Sequence, residues 1–162
     1  MKARVAYLRN FIFGIDDSLV STVGLLSGIA SAGVAAETIV LSGVVLIFVE
    51  AFSMAAGSYL SEASAEEYTA QNDVKTSHSL KASLIMFSSY FVAGFVPLFP
   101  YIMAPVETAF PLSIAVSIAA LLVLGAWSGK ISNVSVFKSA VRMGIIGGVA
   151  IALGVIVGII LG

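Results

Sequence analysis

Residues 18–36, 82–106, 108–129 and 143–162 contain no Asp, Glu, Lys or Arg, and residues 38–61 contain only Glu50. Each run is long enough to cross about 30 Å of hydrocarbon as a helix rising about 1.5 Å per residue. Lipid offers the backbone no hydrogen-bonding partners, so a lone spanning segment must be helical. The rest of the 162-residue chain agrees: it is 59% hydrophobic and only 10% charged, where soluble domains average roughly 25% charged. Its mean hydropathy is +1.08. The reading is an all-α integral membrane protein, a single transmembrane domain over residues 1–162. Its spans fall at about 11–33, 38–61, 82–104, 108–129 and 141–162, with a polar linker at 62–81.

The basic residues orient it. Lys2, Arg4 and Arg9 precede the first span, Lys75 and Lys81 lie between the second and third, and Lys130, Lys138 and Arg142 lie between the fourth and fifth. With five spans, all 8 lie toward one face of the membrane. Under the positive-inside rule that face is cytoplasmic, so the N-terminus is expected in the cytoplasm and the C-terminus outside. A different number of spans would scatter the same residues over both faces. The basic start MKARVAYLRNFIF resembles a signal peptide, but Asp16 and Asp17 interrupt its apolar region, and the first span is expected to remain.

Whole classes of chemistry drop out. There is no cysteine, hence no disulfide, thiolate metal site, iron–sulfur cluster or cysteine nucleophile. The single histidine, His78, falls in the linker, and no serine–histidine or metal-hydrolase spacing occurs. An enzyme is not expected, nor a resident cofactor, nor a nucleic-acid partner.

What the chain does keep is acid inside the membrane. Asp17 lies about six residues into the first span, and Met54 about seven residues short of the end of the second, which returns to the same face. Both therefore sit about 10 Å deep, and Glu50, one helical turn from Met54, about 6 Å deeper. These three side chains can converge on one pocket between neighbouring helices. Asp16 points about 100° away from Asp17. A carboxylate at such depth costs about 2.5 kcal/mol or more, and the nearest basic residue along the span, Arg9, is two turns closer to the interface. The remaining ways to hold it are protonation, a bound cation, water, or hydrogen bonds from serines such as Ser21 or Ser53. A thioether beside carboxylates suits a divalent transition ion better than Mg²⁺ or Ca²⁺, which take oxygen only. Glu62, Glu66, Glu67 and Asp73, with His78, form a weaker constellation at the cytoplasmic mouth: either a collecting surface for cations or a solvated helix face.

Glycines at 24 and 28, at 144 and 148, and at 154, 158 and 162 leave small-residue grooves for close helix packing, within or between subunits. Pro97, Pro100, Pro105 and Pro111 bracket the outer ends of the third and fourth spans, where a lost backbone donor does least harm.

Several of these stretches are familiar together. GIDDSLVSTVGLLSGIA resembles the first-span signature of the vacuolar iron transporter family, and VEAFSMAAGSYLSEASAEE resembles its second-span signature. FVAGFVPLFPY and LGAWSGKISNVSVFKSAVRMGIIGG are similar to its later landmarks, in the same order. The resemblance implies a five-helix homodimer that carries Fe²⁺ or Mn²⁺ out of the cytoplasm in exchange for protons. It also implies that Asp17 and Met54 line the path, with Glu50 as the acidic residue preceding the methionine. Two departures stand out. Ser58 occupies a position where the family usually has glutamate, and the 62–81 linker is too short for the cytoplasmic metal-binding domain of longer members. The expectation is a proton-coupled metal exporter in a prokaryotic cell membrane, or a vacuolar one if the source is eukaryotic. A passive cation pore and a non-transporting membrane scaffold are the alternatives.

Overall fold

A computed structural model describes residues 2–70 and 77–162. Among them it contains five helices and no strand: α1 (Lys2–Ser31), α2 (Ala36–Ala70), α3 (Ser77–Met103), α4 (Val106–Ile131) and α5 (Val136–Leu161). Each is long and apolar enough to cross a membrane, and the protein is a multi-pass integral membrane protein. Asp73 and Lys75 lie outside the described residues.

Four of the helices run past the apolar stretches at the end that carries the basic residues. α1 begins at Lys2, α2 continues to Ala70, α3 begins at Ser77 and α5 at Val136. Polar residues do not stop a helix; missing backbone partners or a conformational break do. The 62–70 segment of α2, rich in Ala and Glu, is a good helix former and simply carries α2 out of the apolar zone. α2 has 35 residues, about 52 Å at 1.5 Å each, well beyond the hydrocarbon thickness.

The turns are built where the chain must reverse. Gly33 takes φ 72° after α1, a left-handed conformation that glycine adopts without a Cβ penalty. Asn133 takes φ 53° after α4. There Val134 N donates to Gly129 O at 3.0 Å and Asn133 N to Lys130 O at 3.4 Å, which satisfies two carbonyls at the helix end. Ser135 then caps α5 by accepting from Lys138 N.

α1 and α3 are the inner helices; α2 and α5 are the most exposed. α1 packs on α3 and on α5, α2 on α3, and α4 on α5, whereas α1 and α2 touch only lightly although they are consecutive. One apolar cluster joins Leu26, Ile39, Ile47, Leu98, Tyr101 and Ala109. A second joins Leu19, Ala93, Leu121, Leu124 and Met143. The α1–α5 contact is backbone on backbone: a Cβ on Gly28 would lie 2.8 Å from the Gly154 carbonyl oxygen. The grooves of Gly24 and Gly28 and of Gly154 and Gly158 are thus used inside the subunit, whereas Gly148 meets nothing within 4 Å. The outward surface is apolar, with Leu41, Val45, Phe48 and Phe52 on α2 and Ile145, Val149, Leu153 and Ile156 on α5, as a lipid-facing bundle requires.

Candidate functional site

The first three helices meet in register, one turn at a time. Nearest the basic end, Asn10 Nδ2 of α1 donates to Ala82 O of α3 at 3.5 Å. One turn on, Gly14 leaves space for α3: a Cβ there would lie 3.2 Å from Met86 Sδ and would overlap Ser89 Oγ. One turn further, Ser18 Oγ donates to Tyr90 O at 2.6 Å. α2 runs the opposite way alongside, presenting Glu62, Ser58, Met54 and Glu50 at steps of one turn.

Asp17 and Glu50 are both half-buried. Tyr90 is fully buried and shares a hydrogen bond of 2.7 Å with Ser21 Oγ. Ser21 is therefore occupied by Tyr90 and by Ser18 O, and Ser53 is exposed. Neither serine binds a carboxylate. No ion pair involves Asp17 or Glu50 among the described residues.

Toward the basic end lies a cavity of about 640 Å³, lined by Arg9, Asn10, Phe13, Ser53, Met54, Gly57, Ser58, Ser61 and Met86. It occupies the gap that the light α1–α2 contact leaves open. Its wall includes Met54 but neither Asp17 nor Glu50, which stand one turn beyond it. The Ser58 hydroxyl is buried without a hydrogen-bond partner. Arg9 at the mouth is ion-paired with Glu62. Two further grooves, of about 670 and 700 Å³, are almost wholly apolar and open between α1, α3 and α4 and between α1, α2 and α5; they suit lipid tails rather than ions.

Asp16 has a different neighbour. The opposite charge that acts on it is Arg142 of α5, and its Oδ1 is buried without a hydrogen bond. Arg9 remains the nearest basic residue along the span; Arg142 comes from the far end of the sequence because α5 lies against α1. Of the weaker acids, Glu62 pairs with Arg9, Glu66 accepts from Ser79 Oγ at 3.2 Å, and Glu67 is exposed. Two of the three thus tie α2 to its neighbours. His78 is exposed and hydrogen-bonded to the Tyr7 hydroxyl at 3.2 Å.

Among the described residues no group of three or more His, Cys, Asp or Glu side chains is close enough to share a metal ion. Within one chain, a cation near Asp17 would have two carboxylates at most, and its other donors would be sulfur, hydroxyl or a second copy. Tyr90 and Met86 carry no charge and stand in an uncharged run of sequence. Only the packing of α3 against α1 brings them to the site.

A search of curated proteins finds no match. The model of the VIT family matches over residues 8–77 and 65–159, so that the two segments meet in the connection between α2 and α3. Spanning the five helices and the site just described, that match means that this chain belongs to the VIT family, the vacuolar iron transporters, whose business is moving metal ions across membranes.

Proposed function

We propose that this protein exports a divalent transition metal, Fe²⁺ or Mn²⁺, from the cytoplasm in exchange for protons, working as a homodimer. Asp17 and Met54 are the central ligands in this reading, and Glu50 is a ligand or proton carrier. The observation that carries it is the placement of Asp17 and Glu50, half-buried and without an ion pair among the described residues, one turn beyond the cavity that Met54 lines. Two like charges held together at depth are costly unless a counter-charge visits them. A dication answers both at once, and protons can replace it on the return.

Three further points support the details. Arg4, Arg9, Lys81, Lys130, Lys138 and Arg142 lie toward one end of the bundle, which supports an N-terminus in the cytoplasm with the cavity mouth on that side. A metal ion takes four to six donors, and the described residues of one chain offer no cluster of three acidic or histidine groups. A second copy supplying its own Asp17 and Met54 would complete the set. The short α2–α3 connection leaves collection of metal to the cavity itself rather than to a separate domain. The minimal loops suit a prokaryotic cell membrane.

The experiment is flux in vesicles containing purified protein. With the lumen made acidic, Fe²⁺ or Mn²⁺ should accumulate in it against its own gradient, and the protons that leave in exchange should alkalinise the lumen in step. Metal flux that ignores the pH gradient and moves no protons would replace this reading with a passive pore. No flux at all would leave a scaffold.

A further inference from the structure

Two methionines line the cavity beside the carboxylates, Met54 from α2 and Met86 from α3. Met86 is almost fully buried, and its Sδ rests near α1 at Gly14, where a missing Cβ leaves room for it. The register of the three helices gives both methionines one level: Gly14 is one turn before Asp17 and Ser18, Met86 one turn before Tyr90, and Met54 one turn from Glu50. The carboxylates thus form a hard tier, and one turn toward the mouth the thioethers form a soft one. Ser58, a turn further out, adds a buried hydroxyl that has no other partner.

We infer that Met86 is a second thioether ligand, forming with Met54 and the Ser58 hydroxyl a waiting site that a metal ion occupies before it reaches Asp17 and Glu50. This rests on the transport reading above and deepens it by naming what the site selects. Thioether sulfur favours softer, later ions, and binding strength rises from Mn²⁺ through Fe²⁺ to Co²⁺, whereas carboxylate and water ligands suit Mn²⁺, Mg²⁺ and Ca²⁺. Two sulfurs in series with two carboxylates filter for Fe²⁺-like ions over Mn²⁺ and exclude Mg²⁺ and Ca²⁺. The Arg9–Glu62 pair at the mouth holds Glu62 away from that tier, which keeps a hard ligand out of it.

The test uses the full chain in vesicles, with Co²⁺ as the air-stable soft ion and Mn²⁺ as the hard one, each at limiting concentration. Met86→Leu conserves volume and keeps the packing. It should lower the Co²⁺-to-Mn²⁺ uptake ratio about tenfold, the scale on which altering a metal's immediate surroundings weakens binding. Met86→Gln, with an oxygen donor of similar reach, should retain Mn²⁺ uptake and lower the ratio further, and it carries the test if the leucine variant fails to fold. X-ray absorption at the cobalt edge supplies a readout separate from flux: the cobalt–sulfur signal of the wild type should fall by about half in either variant, one of two thioethers having gone. Asp17→Asn runs alongside. If it stops uptake while both Met86 variants keep the wild-type ratio and sulfur signal, Met86 is packing alone and the inference falls by itself. If Asp17→Asn transports like the wild type, the transport site is misplaced and the inference falls with it.

Discussion

Replacing Gly28 by alanine puts a methyl group against a peptide carbonyl that cannot rotate away. The built Cβ lies 2.8 Å from Gly154 O and 3.2 Å from Gly154 C, both backbone atoms of α5. The two helices must separate by several tenths of an ångström. Overpacking of that kind costs about 1–3 kcal/mol. Against it stands about 1 kcal/mol gained wherever alanine replaces glycine in a helix. Gly148→Ala isolates the difference, because that glycine is also helical but has nothing within 4 Å of its Cβ position. The propensity gain then cancels, and the gap between the two variants is the collision alone. On the scale of soluble chains of this length, where 1 kcal/mol moves Tm by about 2–4 °C, Gly28→Ala should melt about 2–12 °C below Gly148→Ala. The assay is thermal unfolding of the purified protein in detergent, followed by the fluorescence of its single Trp, Trp127 on α4. Equal melting temperatures would mean that α1 and α5 do not touch at these glycines, and the placement of Arg142 beside Asp16 would lose its basis.

Other consequences are as direct. Tyr90→Phe removes the 2.7 Å hydrogen bond to Ser21 while keeping the ring; it should cost about 0.5–1.5 kcal/mol, read as a fall in Tm, and no change at all would deny that bond. Asp16→Asn and Arg142→Ala should couple by less than about 1 kcal/mol in a double-mutant cycle, because Arg142 is exposed and makes no ion pair with Asp16. Glu62→Gln breaks an ion pair whose Arg9 side chain is 64% exposed; it should shift stability by less than about 1 kcal/mol, and less still in high salt, in the same melting assay.

Much of the fold was legible because charge punctuates the chain. Runs without a single Asp, Glu, Lys or Arg, bounded by Lys81, Glu107 and Lys130, leave little choice about where helices lie. Chain direction then put Asp17, Met54 and Glu50 at related depths. The ends of the helices were less legible, since residues 62–70 are polar enough to read as linker and helical enough to extend α2. Partners from distant helices were not legible at all. Glycines let α5 lie on α1, and Met86 and Tyr90 are uncharged residues in an uncharged span, distinguished from their neighbours by packing alone. Residue type and depth are one-dimensional information. Which face of α3 turns toward α1 is not.

Initial-rate uptake of Fe²⁺ and Mn²⁺ into vesicles, at equal protein content, by the wild type, Asp17→Asn and Met54→Ala puts the weight on the right atoms. Uptake by the wild type and its near-complete loss in Asp17→Asn, with a large loss in Met54→Ala and unchanged folding in both, is the expected outcome. Undiminished uptake in both variants would mean that the metal crosses this membrane by some other route.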